Sequence, residues 1–116
     1  MKKQGIIIPG IGHKIKSIYN PDRRCELLRE CTNPLQKTTL DFALAVEELT
    51  TQKKANLILN VDGHIAAMLI DMMIALEMSD EDITMYIDGD LCNGLFIAAR
   101  TIGFIGHYLD EQRLQE

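Results

Sequence analysis

The sequence predicts a mostly α-helical domain. Two observations carry that expectation. Residues 38–52, 64–78 and 91–114 repeat apolar side chains at helical spacing, and helix-start chemistry recurs at Asn20-Pro21 and at Ser79 followed by Asp80, Glu81 and Asp82. At 116 residues the chain is one domain or a piece of one.

From Gly5 to Asn20, three isoleucines lie among Gly5, Pro9, Gly10 and Gly12, so a short extended piece enters a tight loop that leaves through His13, Lys14 and Lys16. A first helix begins at Pro21, with Asn20 as its cap and Asp22 in its first turn, and ends near Asn33-Pro34. A second starts at Thr38 or Thr39 and closes near Gln52, where Lys53 and Lys54 meet the negative end of the helix dipole. The apolar run 55–63 is a buried strand or an extended loop, and periodicity does not separate the two. Asp62 then stands at the capping position of a strongly apolar helix, 64–78, whose Met68, Met72, Met73 and Met78 read as core filler. After the short helix from Ser79 to Tyr86, Gly89 makes a break and a long helix spans 91–114. Gly94, Gly103 and Gly106 each cost that helix about 1 kcal/mol against alanine, so a close neighbour is expected to offset them.

Hydrophobic residues at 47% are enough for a chain of this size to bury roughly two-thirds of its unfolded surface, and aromatics at 5% make that interior aliphatic. Twelve basic against 17 acidic residues leave a net charge of −5, which argues against nucleic acid as a partner. Cys25, Cys31 and Cys92 lack paired spacing and are expected as reduced, buried thiols. No apolar run approaches the ~20 residues of a membrane span, so a soluble, cytoplasmic protein without membrane partners is expected.

Four features go beyond solubility. In Gly10-Ile11-Gly12-His13 an imidazole follows two glycines whose amides a ligand could approach; an ordinary surface histidine is the alternative. Asp62, at the end of an apolar run, is either a partly desolvated proton shuttle or a plain helix cap. Arg24 and Arg100, on helices beside apolar faces, can each grip a carboxylate through two parallel hydrogen bonds or sit in a structural ion pair.

The strings GIGHKIKSIYNPDRR at 10–24, KKANLILNVDG at 53–63 and NGLFIAARTIGFIGHYLDEQRL at 93–114 resemble, in order, the C-terminal citrate-synthase-like part of ATP-citrate lyase and of free-standing citryl-CoA lyase. The resemblance runs from about residue 2 to 114. In the wider citrate synthase superfamily Phe commonly follows the catalytic Asp; here Gly63 follows Asp62, which favours the lyase branch. The resemblance implies a citrate-synthase-like small domain plus a C-terminal helix returning to the large domain. It implies that His13 contacts the citryl hydroxyl, that Asp62 moves a proton to or from the acetyl carbon, and that Arg24 and Arg100 hold the carboxylates of citrate. Coenzyme A, as the thioester, is implied along Gly10 and Gly12, with Lys14, Lys16, Lys53 and Lys54 near its phosphates.

Cleavage of citryl-CoA to acetyl-CoA and oxaloacetate needs a base for the tertiary hydroxyl, an acid for the departing carbon and cations for the anionic groups. His13, Asp62 and the two arginines match that chemistry, and no cluster has metal-ligand spacing. His64 and His107 are read as structural. The resemblance also implies an upstream large-domain portion with another active-site histidine, and a final segment beyond Glu116, so residues 1–116 read as a partial domain, inactive alone and prone to form a homo-oligomer through helical packing. Citrate synthesis with the same groups, or a non-catalytic CoA-binding or assembly role, are the alternatives.

Overall fold

The computed structural model describes residues 8–31 and 37–115; the expected extended piece at Gly5 to Ile7 and the helix end near Asn33-Pro34 lie outside them. Five helices follow one another: α1 (Arg23–Cys31), α2 (Thr38–Thr51), α3 (Val61–Ala75), α4 (Asp80–Asp88) and α5 (Leu91–Gln115). The described residues contain no strand, only isolated bridges between Ile11 and Leu59 and between Ser17 and Asn20. The mostly helical class is thus observed, and of the apolar run 55–63 the residues 55–60 form a loop, not a ladder, while 61–63 already belong to α3.

α3 is the organising element, with α1, α2 and α5 packed on it and α4 on α5. Leu40, Leu59, Ala67 and Met68 form the central cluster, flanked by Ile11, Leu28, Ala43 and Leu44. Leu40 is 1% exposed, a burial worth roughly 1.5–3 kcal/mol. Of the four methionines expected as filler, Met68 and Met73 are buried and Met78 is half-buried, while Met72 is exposed.

The caps differ from those expected at two helices, and a third is capped from a distant segment. α1 is capped by Asp22, whose Oδ1 accepts from the Arg24 amide at 3.0 Å, and not by Asn20. α3 starts at Val61, and its cap is Asn60, whose Oδ1 accepts from the Gly63 amide at 3.0 Å. Asp62 therefore sits inside the first turn of α3, and the capping role expected for it is taken. At α2, Lys37 offers no side-chain cap; the carboxylate of Asp71, on α3, instead accepts from the Thr39 amide at 2.7 Å and the Leu40 amide at 3.0 Å. Ser79 caps α4 as expected, accepting from the Asp82 amide at 3.1 Å.

The radius of gyration, 16.7 Å, exceeds the ~13 Å of a compact chain this long, because α5 extends past the packed body. Every residue of α5 after Phe96 is exposed, among them Ile102, Phe104, Ile105, Tyr108, Leu109 and Leu114. A Cβ at Gly94, Gly103 or Gly106 would meet nothing within 4 Å. The close neighbour expected to offset these glycines is not among the described residues.

Candidate functional site

The glycine loop folds back onto the segment that feeds α3. The Gly12 amide donates to the Ile58 carbonyl at 2.8 Å, the His13 amide to Asn56 at 3.1 Å, and the Asn60 amide to Gly10 at 2.9 Å. Gly10 and Gly12 take φ of +82° and +103°, which side chains with a Cβ adopt only under strain. Gly63 is glycine for a different reason: a Cβ there would lie 2.7 Å from the Gly10 carbonyl oxygen and 3.2 Å from the Gly10 Cα. Backbone meets backbone at this point, directly beside Asp62.

His13 is half-buried, and its Nδ1 accepts from the Ile15 amide at 3.0 Å and the Lys16 amide at 2.9 Å. Two donors on Nδ1 place the lone pair there, so the neutral ring carries its proton on Nε2 and presents a hydrogen-bond donor, not a base, to a ligand.

Asp62 lies in a cavity of about 460 Å³ whose wall includes Gly10, Gly63, Asp90, Cys92, Asn93 and Phe96. Its side chain is exposed, so the desolvation expected from the preceding apolar run is absent in this chain. Beside it is a second cavity, of about 400 Å³, lined by Arg24, Leu27, Cys31, Val61, Ala99 and Arg100. Ile65 and Phe96 belong to both walls. The two arginines singled out from sequence, 76 positions apart in the chain, thus share one groove, next to the carboxylate of Asp62.

Each arginine is oriented by a neighbour. Arg24 donates from Nε to Asp22 Oδ1 at 3.1 Å and from Nη2 to Asp22 Oδ2 at 2.8 Å. Asp22 is 5% exposed, and the hydrogen bond from Arg24 holds its carboxyl below the usual range against the opposing effect of burial. The pairing fixes the guanidinium plane and leaves the Nη1 edge to a ligand. The Arg100 guanidinium stacks 4.8 Å above the Phe96 ring centroid.

The lysines expected near phosphates sit on two adjoining segments, since Ile18 donates to the Ala55 carbonyl at 3.0 Å. Lys14, Lys53 and Lys54 are exposed and Lys16 is half-buried, its ammonium 3.5 Å from Asn20 Oδ1. His13 and the four lysines line neither cavity.

His64 is 1% exposed, as its structural reading requires, with Nδ1 3.0 Å from the Asn60 carbonyl. His107 is exposed on α5, its Nε2 4.0 Å from Glu111. Of the thiols, Cys25 alone is buried, and burial pushes it up to about 11; Cys31 is exposed and Cys92 half-buried, against the expectation for all three. Sequence reasoning missed Asn60 and Asp22, although both carry cap-type side chains one residue before a helix. Nothing local marks Phe96 as the shared wall. Among the described residues no three His, Cys, Asp or Glu side chains are grouped as a metal site would need, and no helix is long and apolar enough to cross a membrane.

Comparison with known proteins finds no matching family model. Among curated proteins, the chain is 47% identical over 119 residues to the ATP-citrate synthase of Mus musculus, covering 100% of this chain and 11% of that one. It is 49% identical to the probable ATP-citrate synthase subunit 1 of Neurospora crassa, covering 99% of this chain and 18% of that one. Among solved structures, the ATP citrate lyase of Methanothrix soehngenii in complex with citrate and coenzyme A superposes with a TM-score of 0.84 at 53% identity, covering 98% of this chain and 19% of that one. A mutant Methanosaeta concilii ATP citrate lyase in complex with (3S)-citryl-CoA matches with the same TM-score at 52% identity. The chain therefore spans 11% to 20% of the length of the curated relatives it matches.

Proposed function

Over its whole length the chain is homologous to one segment of the ATP-citrate synthases, and from that premise we propose that it carries citrate-binding and proton-transfer groups of a site that cleaves citryl-CoA into acetyl-CoA and oxaloacetate. The observation that carries the reading is the groove shared by Arg24 and Arg100, which has Ile65 and Phe96 in common with the wall of the cavity of Asp62. A substrate with carboxylates at one end and a reacting carbon a few bonds away fits that arrangement. We read residues 1–116 as a partial citrate-synthase-like domain, cytoplasmic, completed by other parts of the protein.

In this reading Arg24, through Nη1, and Arg100 hold carboxylates of the citryl group. His13 donates from Nε2 to the hydroxyl oxygen and stabilises it as its proton leaves to a base that the rest of the protein supplies. The electron pair of the breaking C–C bond passes into the acetyl thioester as its enolate, the oxaloacetate carbonyl forms at the oxygen His13 contacts, and Asp62 delivers a proton to the enolate carbon. Run backward, the same groups condense. Lys14, Lys16, Lys53 and Lys54 attract the phosphates of coenzyme A beside the amide of Gly10, the Gly12 amide being engaged by the Ile58 carbonyl. The exposed apolar face of α5 is read as buried in a homo-oligomer; a chain that sediments only as a monomer across a broad concentration range would contradict that assignment.

The test is an exchange of this chain for the matching segment of the Methanothrix soehngenii enzyme. The unsubstituted chimaera is expected to cleave citryl-CoA. Asp62→Asn is expected to lower turnover roughly 100-fold with the thermal midpoint unchanged, because Asn60 supplies the cap. An Asp62→Asn chimaera that cleaves at the unsubstituted rate overturns the assignment.

A further inference from the structure

We propose that Asn60 is a positioning residue that fixes His13 relative to Asp62, and that its side-chain amide, rather than its capping oxygen, is the group this task requires. The proposal rests on the roles given to His13 and Asp62 above.

Every polar group of Asn60 is engaged, and the partners divide between the two functional segments. Oδ1 accepts from the amide of Gly63, the residue after Asp62, at 3.0 Å. Nδ2 donates to the carbonyl of Gly12, the peptide that carries His13, at 3.0 Å. The backbone amide donates to Gly10 at 2.9 Å, while the carbonyl accepts from the His64 amide at 3.0 Å and lies 3.0 Å from the His64 ring Nδ1. One planar amide therefore clamps the peptide next to one reacting group to the peptide next to the other, across 48 positions of sequence.

Capping alone does not explain the choice of residue. A cap needs one acceptor oxygen, which Ser79 supplies to α4 with a hydroxyl, and serine and aspartate cap about as well as asparagine. Only an amide offers an acceptor to the helix and, 120° away on the same rigid plane, a donor to the loop. The Gly10–Gly63 contact acts in the same place: it brings the two backbones together, and Asn60 sets their register.

Asn60→Asp separates the two functions. The carboxylate still caps α3 and is favoured by the helix dipole, but it turns a second acceptor oxygen toward the Gly12 carbonyl. Asn60→Ser keeps a cap and does not reach Gly12. In the chimaera, both variants are expected to lower the thermal midpoint no more than Ser79→Ala does, while kcat falls about tenfold, a loss on the scale of one hydrogen bond, with KM for citryl-CoA little changed. In the 116-residue chain itself, hydrogen exchange at the His13 amide is expected to quicken in both variants. Ser79→Ala, which removes a cap remote from the site, should lower the midpoint and leave kcat alone.

Wild-type turnover in Asn60→Asp and Asn60→Ser, or activity lost only in step with the thermal midpoint, overturns the proposal. If the unsubstituted chimaera fails to cleave citryl-CoA, the functional reading falls instead. The positional claim is then decided by the exchange arm, where unchanged protection of His13 in both variants overturns it.

Discussion

Gly63→Ala tests the backbone contact on which the site is built. The added Cβ would stand 2.7 Å from the Gly10 carbonyl oxygen, 3.2 Å from the Gly10 Cα and 2.5 Å from Leu59 Cδ1. Leu59 is buried in the central cluster, so its methyl has little room to turn aside. The Gly10 atoms are backbone, and Gly10 itself is tied to Asn60 at 2.9 Å. Relief therefore requires the glycine loop to move off α3 by about half an ångström, and overpacking of that kind costs typically 1–3 kcal/mol. Helix propensity returns up to about 1 kcal/mol for alanine over glycine, less at a first-turn position. A net loss of about 1–2 kcal/mol corresponds to a fall of about 5–10 °C in the thermal midpoint for a domain of this size, read by circular dichroism at 222 nm. Gly103→Ala is the paired control: its Cβ meets nothing within 4 Å, so helix propensity acts alone and the midpoint should hold or rise. If Gly63→Ala is as stable as the parent chain, the close approach of loop and helix is wrong, and with it the reason a glycine follows Asp62.

Asp71→Ala is expected to destabilise the chain by about 2–4 kcal/mol, since it leaves the Thr39 and Leu40 amides without an acceptor at the buried start of α2; an unchanged urea midpoint would refute this. Stability should also fall on mild acidification. Burial holds His64 below its ordinary value of 6.5, so the fold favours the neutral ring; the stability this confers is complete above about pH 6.5 and is lost as pH falls from there toward the lower folded value. Arg29 opposes protonation of His64 and Glu47 favours it, and a His64→Gln chain should lose much of the dependence between pH 7.5 and 5. Asp22, whose carboxyl is lowered by the Arg24 hydrogen bond, acts in a separate window: its contribution persists above 3.8 and disappears below that value. Arg24 is 55% exposed at its side chain, so solvent screens the Asp22 pair and its share is small.

The sequence by itself determined the helices and most of their limits, because helix formation is decided within a few residues. The periodicity of α2 placed its start at Thr38 or Thr39 and its end within a residue of the observed one, and the serine and three carboxylates at 79–82 located the start of α4. It also singled out Arg24, Arg100, Asp62 and His13, since residue types and their order are sequence properties. What those residues face was decided only by the tertiary structure. Asp62 and Asn60 are both acceptable caps two positions apart; the cap is Asn60, whose amide also reaches Gly12, 48 positions away. Asp71 looks like a polar interruption in an apolar helix until α2 is laid against α3 and its amides arrive. The tautomer of His13 follows from how the loop curls Ile15 and Lys16 onto Nδ1, and the common groove of Arg24 and Arg100 from the packing of α1 and α5 against α3. Local pattern records which face of a segment is apolar; it does not record which distant segment meets that face, and contacts between residues 30 to 80 positions apart are where the site is made.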